Sequence, residues 1–263
     1  MISESKLNAE IGRLLTVLYE KRFGALDRLT LGKLLNKNPY LYRALGFSDA
    51  SDFMGQLLVA YVSSSDETIF GNDFIEPLAV FSAQNRDVAP GELWHVSVGA
   101  SAGQDIAIET AATYLAISVK SSKNILNSQS AKGQSGEFQS LQARLKKINK
   151  LFRPIIGFGY GRKSSRKDTV IEKLAGQAFW ETLTGEPNFY LRISEAMESF
   201  AKTHGSLYKE AFENKHRQLL REFMIEFVSQ EGVILWDKVV IFNSAIEKPK
   251  KPNKKQSKAK LST

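Results

Sequence analysis

The stretch "DIAIETAATYLAISVK", residues 105–120, contains two short runs of alternating side chains joined by "TAAT". Alternation with a period of two predicts β-strands whose successive side chains point to opposite faces of a sheet. In the second run one face is wholly apolar and the other is more polar: Leu115, Ile117 and Val119 against Tyr114, Ala116, Ser118 and Lys120. The stretch therefore predicts an antiparallel hairpin.

The open end of this hairpin carries the side chains of chemical interest. If the turn is centred between Ala111 and Ala112, Asp105 stands opposite Ser118, with Lys120 one step away. An acid beside a lysine suits phosphodiester hydrolysis, in which carboxylates hold Mg²⁺ and a lysine orients or helps to deprotonate the attacking water. The lysine also balances negative charge in the transition state.

A second carboxylate is expected, because one carboxylate binds Mg²⁺ weakly and two or more are usual alongside the phosphate oxygen. The position opposite the first acid holds Ser118 instead. Glu109 lies four residues along an extended strand, roughly 13 Å away at about 3.3 Å per residue. Glu76 on an earlier helix, or Glu137 or Gln139 on the following one, can approach from elsewhere in the fold. We favour Glu76 as the second metal ligand.

Composition restricts the other possibilities. The 263 residues suit one large domain or one domain with a helical appendage. Cysteine is absent, which excludes disulfides and thiolate zinc sites. The N-terminus lacks a secretory pattern, and no stretch approaches the ~18 apolar residues of a membrane span. We expect a soluble, unprocessed cytoplasmic protein that does not enter the membrane.

Charge and periodicity divide the chain into three predicted parts. Residues 1–90 are predicted to form a helical section, in which "ETIFGNDFIEPLAVFSA", residues 67–83, is a helix entered through Gly71 and interrupted by Pro77. Residues 91–247 are predicted to form the α/β core and the C-terminal helices. Residues 248–263 carry seven lysines and no acid, hence most of the net charge of +8, and are predicted to be a disordered basic tail with weak attraction to nucleic acid.

Two segments beside the hairpin favour contact with DNA. "SSKNILNSQSAKGQSG", residues 121–136, is rich in side chains that contact phosphates and bases, and our candidates there are Lys123, Asn124, Asn127, Gln129 and Lys132. "RPIIGFGYGRKSSRK", residues 153–167, runs from a strand into a basic loop with the candidates Arg162 and Lys163. The alternative for both is a solvated polar loop. Between them, a helix with its apolar stripe at Phe138, Leu141, Leu145 and Ile148 is predicted to pack on the sheet.

These motifs, in this order and spacing, resemble the PD-(D/E)XK nuclease superfamily. "DIAIETAATYLAISVKSSKNILNSQSAKGQ", "RPIIGFGYGRKSS" and "LAGQAFWETLTGEPNFY", with "NPYLYRALGFSDASDFMGQLL" and "ETIFGNDFIEPLA" before them, look like type II restriction endonucleases that cut at GGNCC-core sites. The resemblance covers roughly residues 38–200. It implies a Mg²⁺-dependent homodimer that cuts both strands of a short palindromic DNA site. By position, Asp105 is the metal-binding acid and Lys120 the catalytic lysine, while Ser118 replaces the usual Glu or Asp.

The sequence thus predicts a mixed α+β, restriction-endonuclease-like fold: a central sheet flanked by helices after a helical N-terminal section. A restriction role implies a paired, protective DNA methyltransferase. Two alternatives stay open at this point. In the first alternative, the chain is a weak or inactive DNA-binding relative, as Ser118 allows. In the second, it is a structural or interaction protein in which Asp105 and Lys120 form an ordinary ion pair worth less than ~1 kcal/mol.

Overall fold

The computed structural model describes residues 1–101, 104–121, 128–145, 149–162 and 170–245, without the side chains of 64–67, 100–101 and 128–131. The chain forms two compact units. The first combines Met1–Gly24 with Ser63–Lys209, and the second combines Ala25–Val62 with the described part of Glu210–Thr263. The basic tail, residues 248–263, lies outside the described residues, and the boundaries expected at residues 90 and 247 stay predictions.

The described elements confirm a mixed α+β fold with a helix-flanked sheet. The helices are α1 Glu4–Asp27, α2 Leu31–Leu34, α3 Pro39–Ala44, α4 Ala50–Phe70, α5 Glu76–Gln84, α6 Ser128–Arg144, α7 Gln177–Thr184, α8 Phe189–Phe227 and α9 Trp236–Ser244. The strands are β1 Trp94–Ser101, β2 Gln104–Thr110, β3 Thr113–Lys120, β4 Leu151–Phe158 and β5 Glu172–Ala175. They lie side by side in chain order. The pairs β1–β2 and β2–β3 are antiparallel, whereas β3–β4 and β4–β5 are parallel.

The predicted hairpin is β2–β3, and its register is the expected one. Ile106 pairs with Ile117 and Glu109 with Tyr114, which sets Asp105 opposite Ser118 one step further along. The turn is held by Thr110, whose Oγ1 accepts the backbone N–H of residue 113 at 3.0 Å. The hairpin therefore brings the ends of both strands to one edge of the sheet.

Both faces of the hairpin are buried, and this burial fixes the register. One face carries Ile106, Ile108, Leu115, Ile117 and Val119 into a core shared with side chains of α1, α5 and α7. On the other face of the sheet, Ala116 of the hairpin and Ile156 and Phe158 of β4 pack against Phe138 and Leu141 of α6, as the stripe predicted. A one-residue slip would exchange the two faces. The large side chains would then be forced into the space of the small Ala107 and Ala116, and overpacking of this kind costs typically about 1–3 kcal/mol.

The helix predicted at residues 67–83 differs from the structure in two respects. Helix α4 begins at Ala50 and runs directly into a π-helical turn, Gly71–Ile75, so no helix begins at Gly71. Pro77 does not interrupt a helix; it occupies the first turn of α5. Proline is tolerated there because it has no N–H to donate, and the wider π turn supplies the change of register before it.

The second unit has its own aromatic core. Asp49 caps α4, accepting the backbone N–H of Asp52 at 2.8 Å. Phe53 of α4 packs against Phe223 of α8 and Trp236 of α9, with ring centroids 5.4 Å and 5.1 Å away. These contacts join three helices whose sequences are far apart in the chain.

Candidate active site

Asp105 is held at the start of β2 by two donors from β3. The backbone N–H of Val119 donates to Asp105 Oδ2 at 2.6 Å, and the hydroxyl of Ser118 donates to the same oxygen at 3.3 Å. Lys120 Nζ lies 4.0 Å from that oxygen. Hence the acid, the serine and the lysine that the sequence predicted to converge do lie together.

These groups differ in their access to solvent. Ser118 is buried, with 2% of its surface exposed, whereas the side chains of Asp105 and Lys120 are 27% and 31% exposed. Among the described residues, the hydrogen bonds of Asp105 all go to Oδ2. Its second oxygen, Oδ1, is therefore left to bind a cation, and the lysine can reach a solvent molecule or a phosphate beside it.

Glu76 joins this group from the first residue of α5. Its half-buried carboxyl has a raised pKa, chiefly because burial disfavours the charged form and further because the Asp105 carboxylate repels it. The ammonium of Lys120 opposes that shift. Asp105 and Lys120 are thus close enough to Glu76 to affect its charge. Of the candidates for the second acid, Glu76 is the one that the structure brings to Asp105.

Close packing of the π turn on the strand ends positions Glu76. A Cβ at Gly71 would lie 3.2 Å from the Cβ of Ser121, the residue after β3. Just beyond β4, a Cβ at Gly159 would lie 2.7 Å from the side chain of Ile75. The two glycines thus allow the π turn to rest directly on the chain beside Lys120, and Glu76 follows immediately.

The other candidates for the second metal ligand are Glu109, Glu137 and Gln139. Glu109 pairs with Tyr114 across the hairpin and its carboxylate binds Lys150 Nζ at 2.6 Å. That hydrogen bond is also the main reason for its lowered pKa. Glu137 and Gln139 are exposed on α6. Glu109 is therefore engaged in a separate ion pair, in agreement with the distance argument from strand geometry.

A pair of carboxylates suits a hard divalent cation such as Mg²⁺. Burial and repulsion by the Asp105 carboxylate disfavour the negative charge of Glu76, and a bound cation would offset both effects. Within the described residues no group of three His, Asp or Glu side chains forms a metal site. The residues present fit an ion that keeps waters or a phosphate oxygen in its remaining positions.

The predicted DNA-contact residues are only partly described. Lys123, Asn124, Asn127 and Lys163 lie outside the described residues, and Gln129 is placed in the first turn of α6 without its side chain. Lys132 is exposed on α6. Arg162 is exposed in the segment that follows β4. This segment begins beside the end of β3, since the N–H of Gly159 donates to the carbonyl of Lys120 at 2.9 Å.

Sequence reasoning missed a cavity beside this site. Trp180 and Phe189 are buried, but Tyr190 is 36% exposed and lines the cavity. The short strand β5, which supports one wall, was also missed. The aromatic residues of "GFGYG" and "GEPNFY" were the sequence feature that could have indicated the cavity, although aromatic residues also line ordinary cores.

Comparison with known proteins agrees with the geometry. The family model of type II restriction endonuclease EcoO109I matches residues 5–205, about three quarters of the chain. No match is found among curated proteins. In the part of the chain that the structure describes, every helix is too short or too polar to cross a membrane. The chain belongs to the EcoO109I family of type II restriction endonucleases, which are site-specific DNA endonucleases.

Proposed function

We propose that this chain is a Mg²⁺-dependent type II restriction endonuclease of the PD-(D/E)XK superfamily, in which Glu76 supplies the carboxylate that Ser118 cannot. The observation that carries the proposal is the convergence of Asp105, Glu76 and Lys120 at one edge of the sheet. Family membership supports DNA as the substrate. The resemblance to enzymes with a GGNCC-core site supplies the proposed class of target.

Each group of the site has a distinct task in this proposal. Asp105 and Glu76 would hold the ion, which when bound polarises the scissile phosphate and lowers the pKa of a bound water. Lys120 orients that water, helps to take its proton, and offsets the charge that develops on the phosphate. Ser118 and the N–H of Val119 orient Asp105 by their bonds to Oδ2.

The remaining parts of the proposal concern the substrate and its partners. Contacts to DNA come from the two segments beside the site, through Arg162 and Lys163 and through Lys123, Asn124, Asn127, Gln129 and Lys132. A palindromic target is matched by a homodimer that presents two such centres. The enzyme acts in the cytoplasm, beside a methyltransferase that protects the host sites.

A second candidate function is that of a relative that binds DNA and does not cut it. The serine at the position of the usual acid is compatible with this function. The structural-protein alternative requires in addition that Asp105 and Lys120 be an ordinary ion pair. The pair is 4.0 Å apart, and the half-buried Glu76 beside it lacks a hydrogen-bond donor among the described residues, which is unfavourable for a purely structural role.

Metal-linked stability distinguishes these functions. A ligand at one hundred times its Kd stabilises the folded state by about 2.7 kcal/mol. Thermal unfolding of the wild type, Asp105→Asn and Glu76→Gln should be followed with Mg²⁺ and with chelator, alongside binding to DNA. We expect Mg²⁺ to stabilise only the wild type strongly. Equal melting of all three with and without Mg²⁺ would exclude the metal site, and loss of DNA binding as well would leave a structural protein.

A further inference from the structure

The first unit contains a cavity of about 860 Å³ next to the candidate active site. Its described walls come from the π turn, from the segment after β4, and from α7 and α8. The backbone of these walls is continuous with the site: Ile75 precedes Glu76, and Gly159 N–H bonds to the carbonyl of Lys120. The volume lies within the ~300–1,000 Å³ typical of small-ligand pockets.

The walls are flat and aromatic. Phe70 and Phe74 stack on each other, with centroids 4.9 Å apart and planes 14° apart, and so form one continuous surface. The indole N–H of Trp180 is bonded to the carbonyl of Gly159 at 2.8 Å, which fixes the position of its ring. Tyr160 and Tyr190 are exposed at the rim. Phe74 and Trp180 are buried and support the wall from behind, whereas the partly exposed rings of Phe70, Tyr160 and Tyr190 can stack with another flat ring.

The rim also carries groups that suit a phosphate and a polar ring edge. Gly176 has a φ of 54°, and a Cβ there would lie 2.7 Å from the carbonyl oxygen of Gly161. This close approach, possible only for glycine, brings Arg162 beside the first turn of α7. Gln177 and Glu181 are exposed lining residues that can bond the amino and ring nitrogens of a base.

We propose that the cavity holds one unstacked nucleotide, with its base between the aromatic walls and its phosphate against Arg162. We take this nucleotide to be one that leaves the base stack of the DNA substrate beside the cutting centre, and this part of the inference rests on the proposed function. A free deoxynucleotide offers the same chemistry. The experiment therefore measures occupancy of the cavity first and its source second.

Occupancy is measured by equilibrium dialysis of the full chain in chelator, with labelled dAMP, dCMP, dGMP and TMP up to millimolar concentrations. We expect saturable binding of at least one nucleotide, and binding at least tenfold weaker for deoxyribose 5-phosphate, which lacks the base. Ser194→Trp on α8 fills the cavity and should abolish binding. Leu191→Trp on the same helix, exposed and outside the cavity, is the matched control and should bind like the wild type.

The phosphate contact has its own variant. Arg162→Ala should weaken binding of the nucleotide severalfold while leaving binding of the corresponding deoxynucleoside unchanged. No binding by the wild type, or equal binding by Ser194→Trp, would overturn the proposal. Circular dichroism of each variant confirms that a loss of binding is not a loss of folding.

Displacement identifies the source. If the substrate supplies the nucleotide, DNA should displace both the bound nucleotide and the bound deoxynucleoside; if it displaces neither, the ligand is a free nucleotide and the DNA source is wrong. All these measurements are made without metal and without cleavage. A chain that cuts DNA but does not bind nucleotides overturns this inference alone. A chain that binds them but does not cut DNA overturns the proposed function alone.

Discussion

Replacing Ser118 with alanine is expected to lower the activity only a few-fold, because the serine holds Asp105 only weakly. Its Oγ lies 3.3 Å from Asp105 Oδ2, whereas typical O–H···O bonds measure about 2.5–3.0 Å. The backbone N–H of Val119, at 2.6 Å from the same oxygen, is unaffected by the substitution. The lost bond therefore falls at the lower end of the usual net range, about 0.5–1 kcal/mol.

This magnitude sets the expected results. Since about 1.4 kcal/mol corresponds to tenfold in rate, the cleavage rate of Ser118→Ala should fall less than tenfold. The melting temperature should fall by roughly 1–4 °C. Ser82→Ala is the matched control: Ser82 is also buried, and its Oγ lacks a hydrogen-bond partner among the described residues, so its removal should cost nothing measurable.

The assay compares initial rates of DNA cleavage in Mg²⁺ with thermal unfolding in Mg²⁺ and in chelator. Asp105→Asn serves as the inactive reference. A loss of one hundredfold or more in Ser118→Ala, together with loss of stabilisation by Mg²⁺, would show that the serine hydroxyl itself binds the ion. The assignment of that place to Glu76 would then be wrong.

Three further predictions concern charge, DNA contact and packing. The pKa of Glu76 is higher in the folded chain than its ordinary value of 4.5. In chelator, the stability of the wild type relative to Glu76→Gln should therefore fall as the pH rises above about 4.5 through the folded-state pKa. Parallel profiles of Tm against pH for the two proteins would contradict this. Replacing Arg162 and Lys163 with alanine should flatten the dependence of DNA affinity on salt, by about one unit of slope for each lost phosphate contact, and an unchanged slope would remove them from the interface. Gly157→Ala should destabilise the chain by about 1–3 kcal/mol through overpacking, because its Cβ would lie 2.1 Å from the ring of Phe179; denaturant unfolding measures this loss, and an unchanged midpoint would refute it.

The hairpin and the register of its polar residues could be predicted because they depend on local rules. Period-two alternation assigned the faces of β3, and the short turn fixed the register that places Asp105 opposite Ser118. The stripe on α6 likewise predicted its packing through Phe138 and Leu141. In each case the position of the large apolar side chains determines which way the other side chains point.

Other features depend on tertiary packing and could not be predicted with the same certainty. The π turn has no local sequence pattern, so Gly71 and Pro77 suggested a helix start and a break instead of a continuous path. The approach of Glu76 to Asp105 follows from the packing of Gly71 on Ser121, a contact between distant segments.

Cleavage of a large, unmethylated DNA by the purified chain tests the central claim most directly. The wild type, Lys120→Ala and Glu76→Gln are compared in Mg²⁺ and in chelator, with the exposed Lys202→Ala as the control for loss of one positive charge. We predict discrete fragments from the wild type and the control in Mg²⁺ alone, and none from the two site variants. Fragments of the same pattern from Lys120→Ala, or no metal-dependent cutting by the wild type, would contradict the account.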